Sequence, residues 1–177
     1  MKYILLFAAS LLFAATSHAV NHEPQKSSGM TVIGTVYTDD GKANPLYAGN
    51  IDQQQIWGDY IQAHNDRDLA KISEINAPDW IGYPASGEVI KGSAAHIEFL
   101  DDWFKSPENP TWEISWMIAN SGENEDGVME HWLTTGNERT YLDSDGNKAL
   151  EHEVIDVQFL EGKIKRVYVY SRPDAQE

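Results

Sequence analysis

The sequence contains no cysteine. That excludes disulfides, thiolate metal ligands and a lipid-modified cysteine, so the fold must stand on burial and hydrogen bonds. Bases are scarce too: 13 Lys and Arg face 28 Asp and Glu, for a formal net charge of −15. A surface of that sign repels phosphate backbones and anionic lipid, so neither nucleic acid nor a membrane surface is an expected partner. Long apolar runs are lacking except at the start. There Lys2 precedes an apolar run from Ile4 to Ala15, and Thr16-Ser17-His18-Ala19 follows. The run is too short to span a bilayer. Its charged, apolar and small-residue parts are those of a secretory signal peptide, with cleavage expected after Ala19. The expected location is the periplasm or outside the cell. Familiar fingerprints are also missing: there is no HExxH pair, no GxSxG elbow, no P-loop and no dinucleotide loop. The motifs therefore point to no metal and no cofactor.

What is present divides the chain into four parts. Residues 1–19 are the expected signal peptide. Residues 20–49 begin as a polar, aperiodic linker and contain the β-branched run Thr31-Val32-Ile33-Gly34-Thr35-Val36-Tyr37, followed by the turn Asp39-Asp40-Gly41. That run is an extra edge strand or a disordered extension. Residues 50–172 form the main domain, and 173–177 a short tail. About 155 residues suit one domain, and a chain of that size buries about two-thirds of its unfolded surface.

Within the main domain Ile56, Trp57, Tyr60, Ile61 and His64 recur at helical spacing, with Asn50 or Asp52 as the cap. Asp66 or Asp68 restarts a shorter helix with Leu69, Ile72 and Ile75 on one face. Residues 79–83 read as a short strand, stopped by Pro84, with Glu88-Val89-Ile90 as its antiparallel partner. Gly92-Ser93 opens a third helix carrying Ile97, Leu100, Trp103 and Phe104. Four β-rich stretches follow, at 111–120, 127–136, 148–160 and 163–171, separated by acidic and glycine turns. Three helices followed by four long strands make an α+β order, with the helices gathered on one face of a curved antiparallel sheet.

Three stretches carry a family resemblance. The first is Asp59-Tyr60-Ile61 with Asn65-Asp66-Arg67-Asp68-Leu69. The second is Tyr83-Pro84 with Gly92-Ser93-Ala94-Ala95-His96-Ile97. The third is Glu153-Val154-Ile155-Asp156-Val157-Gln158-Phe159 with Glu161-Gly162-Lys163-Ile164. In this order and spacing they resemble the nuclear transport factor 2-like superfamily, which includes SnoaL-like polyketide cyclases and ketosteroid isomerases. The resemblance covers about residues 50–172. It implies a cone-shaped sheet packed against three helices, with a pocket between them.

It also implies site residues. Tyr60 falls where the isomerases place the tyrosine of their oxyanion hole, and Asp156 where they place the protonated aspartic acid that donates beside it. Preorganised donors in a dry site stabilise an enolate oxygen, and a carboxyl group donates only where its pocket raises its pKa. The third position departs. The isomerases have a basic Asp before Pro; here Tyr83 precedes Pro84. The resemblance thus implies the donors of an oxyanion hole without the base.

Other candidates follow from strand and helix geometry. If Asp156 points toward the helices, His152, Val154 and Gln158 do so too, and His152 could pair with Asp156 as acid and base. Alternatively Asp156 is a buried polar group held by Tyr60. His64 and His96 lie on helices that would wall the cone, or at helix ends and surfaces. Glu130 and His131 point to opposite faces of one strand. Trp80, Tyr83 and His96, with Tyr60 and Asp156, are the expected ligand-binding set. Trp112 and Trp116 share a strand face on this reading, as do Tyr168 and Tyr170, and such a face could be covered by a second copy of the chain. Asp143-Ser144-Asp145-Gly146-Asn147 faintly echoes a calcium loop but lacks its length and flanking helices.

Three functions compete: an exported domain that binds a small hydrophobic molecule; a cofactor-free lyase or isomerase using Asp156, Tyr60 and a histidine (His152, His64 or His96); and a dimeric interaction module. A small hydrophobic molecule and a second copy of the chain are the expected partners.

Overall fold

The computed structural model describes residues 29–175. The expected signal peptide and most of the polar linker lie outside the described residues.

Asn50 starts the first helix by accepting the backbone N–H of Asp52 at 3.0 Å. This helix, α1 (Asp52–Asn65), buries Trp57, Tyr60, Ile61 and His64 along one stripe, as steps of three and four residues require. Asp68 caps the second helix, α2 (Leu69–Ile75), accepting from Lys71 N at 2.9 Å. Its inward side holds Ile72 and Ile75. The third, α3 (Ser93–Phe104), follows Gly92, whose φ of 92° few other residues adopt. It buries His96 and Leu100.

The strands are β1 (Val32–Tyr37), β2 (Ala43–Ala48), β3 (Asn76–Tyr83), β4 (Ile90–Lys91), β5 (Thr111–Glu123), β6 (Met129–Leu142), β7 (Lys148–Leu160) and β8 (Lys163–Pro173). They form one curved, unclosed sheet in the order β1-β2-β5-β6-β7-β8-β3-β4. The pairings are antiparallel except that β3 lies parallel to β8. The architecture is thus α+β, with a mixed rather than wholly antiparallel sheet. Residues 32–48 are part of it: β1 and β2 form a hairpin that adds to β5 through Leu46, Tyr47 and Ala48. Gly49 allows that approach, since a Cβ there would come within 2.6 Å of the Asn120 backbone.

The core lies between the helices and the concave face of the sheet. Trp57, Ile72, Leu100, Leu133, Val157 and Ile164 are its most buried members. On β7 the inward residues are Glu153, Ile155, Val157 and Phe159, while Val154 and Asp156 face the other way. This corrects the expected phase of the strand. A strand turns its larger apolar set to the core, and a one-residue shift exchanges the faces. Ile155, Val157 and Phe159 outweigh Val154, so the even positions go outward. A bulge between Ile114 and Trp116 makes a second correction. It separates Trp112, which faces the helices, from Trp116, which lies exposed on the convex face over Gly136.

Candidate functional site

A cavity of about 320 Å³ opens between the three helices and the concave face. Its floor is built on α1, α3 and β3. The Tyr60 hydroxyl donates to Asn76 Oδ1 at 3.0 Å. The amide nitrogen of Asn76 then points at His96 Nδ1 (3.1 Å) and Ser93 Oγ (3.3 Å). An amide N–H only donates, so His96 Nδ1 accepts and its proton sits on Nε2. His64 has the opposite tautomer. Its Nδ1 lies 2.8 Å from the Tyr60 carbonyl oxygen, which only accepts, so Nδ1 carries the proton and Nε2 a lone pair. The His96 ring stacks on Trp80 with centroids 3.9 Å apart and planes 10° from parallel. Trp80 can lie there because Gly82 has no side chain: a Cβ would meet the indole at 2.2 Å.

Burial decides the charge of this floor. Desolvation pushes His64 down to about 4, helped by the charge of Arg67 and opposed by the Tyr60 carbonyl. It pushes His96 down to about 3, helped by His64. The Tyr60 hydroxyl is pushed far above its ordinary value by the same cause. The floor is neutral at pH 7.

The rim is charged. Glu153 is only 6% exposed. It accepts from Trp112 Nε1 at 3.1 Å and pairs with Arg139 Nε at 3.2 Å. Arg139 Nη2 donates to Glu151 at 2.7 Å, and the Tyr141 hydroxyl donates to the same carboxylate at 3.3 Å. The guanidinium lies over the Tyr141 ring, 4.3 Å from its centroid. Trp103 Nε1 donates to Glu108 at 2.7 Å. Desolvation pushes Glu153 up to about 7, against the opposing pull of Arg139 and Trp112. A carboxyl group with that value exchanges a proton readily near neutrality.

Of the expected ligand-binding residues, Tyr60, Trp80, Tyr83 and His96 line the cavity, and His64 joins them. The Tyr83 ring itself lies flat on Tyr168, a residue of the convex-side groove, with centroids 4.4 Å apart, so the ring stands on that side of the sheet. Asp156 does not line it. It faces a groove on the convex side with Trp132, Tyr168 and Tyr170, and accepts from Thr134 Oγ1 at 2.7 Å. His152 is outside as well, 3.0 Å from Asp174. The structure therefore does not bring Asp156 or His152 to Tyr60, and the expected catalytic set is not assembled. Of the mid-strand pair, Glu130 accepts from Trp132 Nε1 at 3.0 Å and His131 meets Ser121 Oγ at 2.9 Å, neither of them in the cavity. Asp143 holds its turn through the N–H groups of Asp145 and Asn147. Among the described residues no three His, Asp or Glu side chains converge on a metal position. No helix among them is long and apolar enough to cross a membrane.

Glu153, Arg139, Glu151 and Trp112 are the site residues that sequence reasoning missed. The signal was available for the glutamates: they stand in phase with Ile155, Val157 and Phe159.

No family model matches the chain, and no curated protein sequence matches it. Solved structures do. A nuclear transport factor 2-like protein of unknown function from Cytophaga hutchinsonii is 16% identical, with a TM-score of 0.51 over 67% of this chain and 97% of its own. An epoxide hydrolase from M. tuberculosis, of the LEH-like kind, is 12% identical, with a TM-score of 0.54 over 67% and 80%. SalBIII, described as an epoxide hydrolase/cyclase-like enzyme in pyran ring formation in the polyether salinomycin, is 22% identical, with a TM-score of 0.53 over 68% and 91%. At these identities the likeness shows the fold, which is nuclear transport factor 2-like.

Proposed function

We propose that this nuclear transport factor 2-like chain binds a small, largely apolar molecule in the cavity between its helices and its sheet. The observation that carries the reading is the cavity itself: aromatic and aliphatic walls with a few fixed polar groups, the usual make-up of a small-molecule site. The test is native mass spectrometry of the mature protein, followed by identification of whatever is released on unfolding. An empty protein that takes up no apolar probe would refute it.

A second reading is favoured by one observation. Glu153 is a buried carboxyl with a pKa near neutrality, held by Arg139 and Trp112 and facing an apolar cavity. Such a group can take a proton from, or give one to, a bound molecule without a cofactor. Asp156, on the far face, has no part in it. The descriptions of SalBIII and of the M. tuberculosis protein support a reaction that opens or closes a small oxygen ring. Glu153→Gln tests it: turnover of small epoxides should fall at least a hundredfold while binding persists. Turnover unchanged in that variant refutes the reading.

Export is supported by the Lys2, Ile4–Ala15 and Ala19 pattern. An intact mass beginning at Val20 would establish the cleavage. A second copy of the chain would have its best footing on the convex face, where Trp116, Ile118, Val154 and Tyr170 are exposed. Sedimentation at micromolar concentration measures it, and a monomer at those concentrations rejects it.

A further inference from the structure

The floor of the cavity holds a matched pair of hydrogen-bonding atoms that the protein does not use. His64 and His96 are 7% and 6% exposed, and both line the cavity. Each spends its Nδ1 inside the protein, on the Tyr60 carbonyl and the Asn76 amide. Those bonds fix opposite tautomers. His64 therefore offers a lone pair at Nε2, and His96 an N–H at Nε2. Among the described residues neither Nε2 has a hydrogen-bond partner, and neither is among the fully buried, unpartnered atoms, as the indole nitrogens of Trp57 and Trp80 are. The two ring centroids stand 5.9 Å apart, so both Nε2 atoms belong to one patch of the floor.

We propose that the cavity selects a molecule with a single hydroxyl group on an apolar, ring-sized body, the hydroxyl donating to His64 Nε2 and accepting from His96 Nε2–H. This rests on the binding reading above and names its ligand class. A hydroxyl is the small group that both gives and takes one hydrogen bond. A ketone or ether only accepts, leaving the His64 lone pair unmatched. A hydrocarbon leaves both atoms unmatched, and a buried polar atom that loses its partner costs more than the bond is worth. A carboxylate or an ammonium meets no opposite charge at the floor, because both histidines are neutral there. Tyr60 cannot substitute for the His96 donor, since its own proton goes to Asn76. Stacking on Trp80 holds the His96 ring in place.

The test is a matched series of two-ring probes: 2-naphthol, 2-methoxynaphthalene and naphthalene, titrated against the mature protein by tryptophan fluorescence. The expected result is tightest binding of 2-naphthol, by at least about tenfold over naphthalene, the product of two ordinary hydrogen bonds. His64→Leu and His96→Leu should each remove that advantage, and His64→Gln and His96→Gln should restore part of it. Nitrogen-15 NMR of the free protein should show His64 protonated on Nδ1 and His96 on Nε2. If the three probes bind equally, the hydroxyl selection is overturned while the binding reading stands. If none binds, both fall. The reverse tautomers would overturn the selection whatever the affinities.

Discussion

At the floor of the cavity two histidines are buried without a carboxylate partner; at its rim a glutamate is buried beside an arginine. Desolvation acts on both ends and in both favours the neutral form. It lowers the histidines to about 4 and about 3 and raises Glu153 to about 7. The outcomes differ because the partners differ. Asn76 and the Tyr60 carbonyl are neutral and fix which nitrogen holds the proton. Arg139 is charged and keeps Glu153 close to ionisation at neutral pH. On the readings proposed above, the floor would serve recognition and the rim proton exchange.

The harshest way to break this contrast is Arg139→Met. It would leave two mostly buried carboxylates, Glu151 and Glu153, without their shared cation. The expected loss is about 3–5 kcal/mol of stability, read as a lower urea midpoint. Adding Glu153→Gln should recover part of it. A midpoint equal to wild type would show that the rim is held by something else.

The pH dependence of stability sharpens the contrast. The folded histidine values lie below the ordinary 6.5, so the unfolded chain binds protons that the folded one refuses. Their stabilising effect is complete above pH 6.5 and is lost as pH falls toward the folded values. Glu153 has the opposite sign, because its folded value lies above the ordinary 4.5. Its effect is complete below pH 4.5 and is lost as pH rises through 7. Between pH 6.5 and 4.5 two histidines oppose one glutamate, so the net change is a loss toward acid, on the order of a few kcal/mol. Glu153→Gln should make that loss steeper and should flatten the curve between pH 6.5 and 8. Thermal melts across this range measure both.

A smaller effect is expected from Tyr60→Phe. It removes the donor to Asn76 Oδ1, at a cost of about 1–3 kcal/mol, and loosens the amide that sets the His96 tautomer. Chemical denaturation measures the cost. The smallest effects belong to His152→Ala and Asp156→Asn. Both side chains lie outside the cavity, so probe affinity should stay within about twofold and stability within about 0.5 kcal/mol of wild type. A large loss of binding in Asp156→Asn would return that residue to the site.

The fold was legible where the signal is local. Trp57, Tyr60, Ile61 and His64 announce a buried helix face by spacing alone, and the four long strands are bounded by Asp- and Gly-rich turns. The parallel contact of β3 with β8 was not legible, since nothing within either segment names a partner so distant in sequence. The site divides in the same way. Tyr60, Trp80, Tyr83 and His96 were expected at the cavity and are among its lining residues. Glu153 was missed because β7 can be read in two phases, and the resemblance drew attention to Asp156 rather than to the heavier apolar set beside Glu153. Arg139 was missed because a charged residue in a strand ordinarily faces water. Only the burial of its two carboxylate partners turns it inward.

The β3–β8 contact has a further consequence, for the order in which the molecule is completed. Asn76 pairs with Ile164, and Tyr83 with Tyr168. Closing so long a loop is entropically slow, and contacts of this separation retard folding. Trp80 and Gly82, which shape the cavity floor, ride on β3 and so depend on the last strand of the chain. A nascent or truncated chain that stops short of Lys163 would own both histidines yet present no finished floor. On the binding reading proposed above, occupancy by ligand would therefore require β8 to be in place.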